Sequence, residues 1–118
     1  MIRRIASALA MACSNPDITA ASLNYHLRET ALAIQSADPI TPPAWRLSKH
    51  MLAYAQDKNS IGSIRNYVGT TWPMIQSVIE RAETSEREAA IKAASNVRRL
   101  LRLDALRLVL GGTVRGRT

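Results

Sequence analysis

The sequence predicts an all-α fold: a compact bundle of five to six helices, with a helical hairpin in the second half and a long C-terminal helix. Three observations carry this. Ala, Leu, Ile and Val dominate the apolar residues, while aromatics are only 4% and Phe is absent, so the core has to be aliphatic. Apolar residues recur at spacings of three and four rather than in alternation. Clusters of Pro, Asn, Asp and Ser punctuate the periodic stretches. At 118 residues the chain is long enough for one helical core. A single domain is expected over 1–112, with a flexible basic tail at 113–118.

The first helix follows from Ile2, Ile5, Leu9 and Ala12 on one face, with Arg3, Arg4 and Ser7 away from it. The same stretch resembles a clipped lipoprotein signal: an Arg pair, a short apolar run, and Leu9-Ala10-Met11-Ala12 before Cys13. The run is at the lower limit for such a signal, and the amphipathic helix is the reading adopted. Ser14 or Asn15 is expected to cap the second helix, with Pro16 in its first turn. Leu23, Leu27, Ala31 and Ile34 give that helix a stripe running to about Ser36. The Asp38–Pro43 segment reads as a stiff loop, because each proline disfavours helical geometry in the residue before it. Thr41 caps a third helix, entered through Pro42 and reaching about Gln56.

Ser60 caps the next helix, in which Ile61, Ile64 and Val68 share a face. Gly69 supplies a tight turn, Thr71 caps a following helix that tolerates Pro73 in its first turn, and Ile75, Val78 and Ile79 form its apolar face. Ser85-Glu86-Arg87-Glu88 has capping-box spacing and predicts the start of the last helix. In that helix Ile91, Ala94, Val97, Leu101, Ala105 and Leu108 follow one another by three or four. Leu100, Leu103, Leu106 and Leu110 widen the apolar surface until Gly111-Gly112 ends it.

The 16 Lys and Arg against 9 Asp and Glu leave a net charge of +7 and a pI near 10.5. Only three of the basic residues are Lys. Guanidinium groups pair bidentately with phosphate oxygens and release counterions, so nucleic acid is a favoured partner class, alongside acidic proteins. The single cysteine excludes an internal disulfide and fits a cytoplasmic location. No window approaches a membrane span. His26 and His50 have no ligand-spaced partners and the glycines form no phosphate-cradling loop, so neither enzymatic activity, a cofactor nor a metal is expected.

The Ser60–Arg81 stretch resembles the helix-turn-helix family. The match runs through Ile64, Val68, Gly69, Thr71, Ile75 and Val78, and departs from the family pattern at Arg65, Trp72 and Pro73. The resemblance implies Thr71, Trp72, Gln76 and Ser77 as contacts to base edges, and Arg65, Asn66 and Arg81 as contacts to phosphates. On this reading the protein is a small DNA-binding transcriptional regulator of phage, plasmid or compact-operon type. It binds double-stranded DNA as a homodimer, with Val97, Leu100, Leu101 and Leu108 pairing the subunits. The alternative is a helical interaction module, an adaptor, inhibitor or antitoxin-like protein, that docks its Leu- and Arg-rich last helix on an acidic partner.

Overall fold

The structure is a computed structural model. It describes the backbone of residues 1–56 and 58–115, and the side chains of those up to 106. Four helices, α1 (Ile2–Ser14), α2 (Ala20–Gln35), α3 (Pro42–Ala55) and α4 (Ile61–Arg115), account for the regular structure, and no strand occurs among the described residues. The chain divides into two units, Met1–Glu83 and Thr84–Thr118.

Within Met1–Glu83 the core draws on all four helices. From α1 come Ile2, Ala6, Leu9 and Ala12; from α2, Leu23, Leu27, Ala31 and Ile34; from α3, Ala44, Leu47, Met51 and Ala55. The α2 stripe is the one read from the sequence, and all four of its residues are fully buried. Small residues supply much of this core, so the helices approach closely on Ala rather than on aromatic rings. Two fully buried hydroxyls are satisfied within their own helices, whereas the buried Asn24 side-chain oxygen has no hydrogen-bond partner. The Thr30 hydroxyl donates to the His26 carbonyl at 2.8 Å and the Ser48 hydroxyl to the Trp45 carbonyl at 2.7 Å, so burying them leaves no orphan.

Two helix starts are where the sequence places them. The Thr41 hydroxyl accepts the Ala44 N–H, with Pro42 and Pro43 opening α3. The Ser60 hydroxyl accepts the Ser63 N–H at 3.2 Å at the head of α4. A third start differs. The cap of α2 is Thr19, which accepts from Ser22 N, rather than Ser14 or Asn15. Asn15 instead folds a turn by accepting the Asp17 N–H on its own side-chain oxygen, which keeps Pro16 outside the helix.

The larger correction is the helix count, four rather than five to six. No turn occurs at Gly69, and no cap at Thr71 or Ser85: all three lie inside α4. No glycine among the described residues takes a positive φ. The physical reason is phase. Ile64, Val68, Thr71, Ile75, Ile79 and Ala82 are all buried. Their steps of four, three, four, four and three keep one face of a 3.6-residue helix without interruption. A turn at Gly69 would have reset that phase. Ser85 to Glu88 can form a capping box only where a helix begins, and the residues before them are already helical. Likewise α4 runs to Arg115, past Gly111-Gly112 and into the expected tail. Residues 116–118 of that tail lie outside the described residues.

Pro73 is accommodated inside α4. It lacks the N–H that would bond the carbonyl of Gly69 four residues back. In the same turn Thr70 donates its hydroxyl to the Asn66 carbonyl at 2.9 Å.

Candidate interaction surface

The continuity of α4 redistributes the residues expected to meet DNA. Thr71 is buried, only 4% exposed, and its hydroxyl bonds the Tyr67 phenol. Trp72 is half-buried. With Gln76 it lines a cleft against α1, together with Arg3, Ser7 and Glu80, enclosing about 40 Å³. That holds a few water molecules, whereas a small-molecule site occupies roughly 300–1,000 Å³. Gln76 and Ser77 are exposed on α4, as are Asn66 and Arg81. The structure therefore does not gather the four expected base-contact residues on one exposed face.

Arg65 is engaged elsewhere. Its Nε donates to the Cys13 carbonyl at 3.0 Å and its terminal nitrogen to the Asn15 carbonyl at 2.8 Å. These are carbonyls at the C-terminal end of α1, which have no intrahelical donor, and a cation there also complements the negative pole of the helix. The side chain ties α4 to α1. Next to it, burial pushes the Cys13 thiol above its ordinary value and the Arg65 charge pulls the other way. At neutral pH the thiol is protonated.

A second link between α1 and α4 is Arg3 to Glu83. The guanidinium donates from Nε at 2.8 Å and from a terminal nitrogen at 2.6 Å to the two carboxylate oxygens. The hydrogen bonds and the charge of Glu83 raise the pKa of Arg3. Between α3 and α4, Tyr54 and Tyr67 stack with ring centroids 3.9 Å apart, and Tyr67 shares a 2.6 Å hydrogen bond with His50 Nδ1. Burial pushes the Tyr67 phenol up, with the Thr71 hydrogen bond acting against it. None of these three contacts stands out from the sequence, because each joins residues far apart in the chain or on different helices. Among the described residues no group of three His, Cys, Asp or Glu is placed to hold a metal. Nor is any helix long and apolar enough to cross a membrane.

The Thr84–Thr118 unit has a different surface. Every described side chain from 86 to 106 is exposed. Large apolar groups are among them: Val97 at 53%, Leu100 at 60%, Leu101 at 62%, with Ile91, Leu103 and Leu106 similar. Val97, Leu100 and Leu101, read from the sequence as pairing residues, thus lie on an uncovered helix. Leu108 falls outside the described side chains. Interleaved with the leucines are exposed Arg98, Arg99 and Arg102. An apolar surface of this extent on a helix normally meets a partner.

No protein-family model matches the chain, and no curated protein or solved structure matches it.

Proposed function

We propose that the protein is a helical interaction module, in which Met1–Glu83 is a self-contained folded unit and α4 from residue 86 onward is the docking helix. The observation that carries this is the exposure of six large apolar residues between 91 and 106. Water contact on that much apolar surface costs roughly 25 cal/mol per Å², which a partner's apolar face removes. Most helical stability in proteins comes from packing of an apolar face, so binding also stabilises the helix itself. The test is a Val97→Asp/Leu101→Asp variant. Both positions are exposed, so thermal unfolding of the Met1–Glu83 unit is expected to be unchanged while association is lost. Unfolding of that unit at a much lower temperature would show the two residues to be core, and would refute the reading.

A second reading, binding of double-stranded DNA, is favoured by the exposed Arg98, Arg99 and Arg102 and the net charge of +7. In this form the arginines contact phosphates and position the protein without reading sequence. Its test is a gel shift on mixed-sequence duplex. Affinity is expected to fall steeply with salt, and Arg102→Ala to lower the salt slope by about one. No shift at low salt refutes it.

A further inference from the structure

We infer that the partner of the docking helix is a second copy of this chain, paired antiparallel in one register set by Arg87 and Asp104. This rests on the interaction-module reading and names its partner. Arg87, Ala90, Ala94, Val97, Leu101 and Asp104 are all exposed. They follow one another by three, four, three, four and three residues, the spacing of a coiled-coil seam. The seam is five turns long, about 26 Å. Its composition is asymmetric along the chain: a basic end, two alanines, two larger apolar residues, an acidic end.

Laid antiparallel about its own midpoint, such a seam complements itself. Ala90 meets Leu101 and Ala94 meets Val97, so each small residue faces a larger one and the layers fill without voids. Arg87 meets Asp104 at both ends of the apolar core. The other alignments fail on the same residues. In parallel, Arg87 faces Arg87 and Asp104 faces Asp104, two like-charge contacts at the seam. An antiparallel shift of one heptad sets Asp104 against Ala94 in one direction, or Arg87 against Val97 in the other, and strands a charge on apolar surface. Asp104 is the single acidic residue from Ala90 to the end of the sequence. Its position on the apolar seam makes it the register lock of a homodimer. In this pair Val97 and Leu101 lie at the centre of the seam and Ile91 and Leu100 flank it, while Lys92, Arg99, Arg102, Leu103 and Leu106 stay on the outer faces.

Sedimentation equilibrium and cysteine cross-linking test this on the full chain. The parent is expected at twice its 13.0 kDa monomer mass. Asp104→Arg and Arg87→Asp are each expected to weaken dimerisation at least about tenfold, because each turns two opposite-charge contacts into like-charge ones. The doubly swapped chain Arg87→Asp/Asp104→Arg is expected to return to within a few-fold of the parent. In a Cys13→Ser background, a mixture of Ala90→Cys and Leu101→Cys chains is expected to cross-link to each other and not to themselves. A swap that fails to rescue, or Ala90→Cys chains that cross-link among themselves, overturns the antiparallel register. A chain that stays at monomer mass at high concentration overturns the homodimer, while leaving the docking helix to a partner of another sequence. A dimer that survives Val97→Asp/Leu101→Asp places association elsewhere, and overturns both this inference and the reading beneath it.

Discussion

Replacing Gly69 with alanine separates a continuous helix from a hairpin by the sign of the effect. In the structure Gly69 is exposed, inside α4 and without a positive φ. A methyl group built on it meets nothing within 4 Å. The substitution therefore acts through helix propensity alone, where alanine exceeds glycine by about 0.8–1.0 kcal/mol in an exposed helix interior. For a unit the size of Met1–Glu83 that corresponds to a rise in Tm of about 4–8 °C. A turn glycine behaves in the opposite way, since alanine forced into a left-handed conformation costs about 1–2 kcal/mol. The assay is thermal unfolding followed by far-UV circular dichroism, parent against variant at equal concentration. Destabilisation by 1 kcal/mol or more, with a fall in Tm, would refute the unbroken α4 and restore the hairpin.

Pro73→Ala returns the missing donor to the Gly69 carbonyl and is expected to stabilise the fold by about 1–3 kcal/mol in urea unfolding, against no change were Pro73 in a first helical turn. Arg65→Met keeps the apolar stem but loses both bonds to the end of α1. Allowing for its partial exposure, a loss of about 1–2 kcal/mol is expected in the same assay, with DNA affinity unaltered. A gel shift that weakens in step with Arg65→Met, at unchanged stability, would return this residue to the phosphate-contact role. The raised Tyr67 phenol gives a pH dependence. Its folded-state pKa lies above its unfolded one, so the folded chain holds the proton longer. That contribution is intact at neutral pH and is lost as pH rises through and beyond the ordinary value of 10.0. Tyr67→Phe is expected to flatten this part of the alkaline decline, and a decline of unchanged slope would contradict it.

The legible parts of the sequence were those governed by local rules. The α2 stripe could be read because four apolar residues at helical spacing leave no other face to bury, and Thr41-Pro42 because a cap and a proline fit a helix start and little else. The Gly69-Thr70-Thr71-Trp72-Pro73 stretch was misleading for the same reason: its glycine, two threonines and proline all have turn or cap propensities. What overrode those propensities was Thr71. Counted as polar it breaks the stripe into two helices, but buried with its hydroxyl on Tyr67 it joins them into one. Arg65 could not be placed from sequence because its partners are carbonyls about fifty residues away, which carry no signature in the sequence. Val97, Leu100 and Leu101 were recognisable as an excess of apolar surface.

Amide hydrogen exchange on the full chain at two protein concentrations bears most directly on the claim that α4 from residue 86 onward is an uncovered helix completed by a partner copy. Exchange in residues 86–106 is expected to slow as concentration rises, while the core amides of α2 and of α4 between 64 and 82 keep the same protection. Protection in 86–106 that is already high in dilute solution and independent of concentration would contradict it.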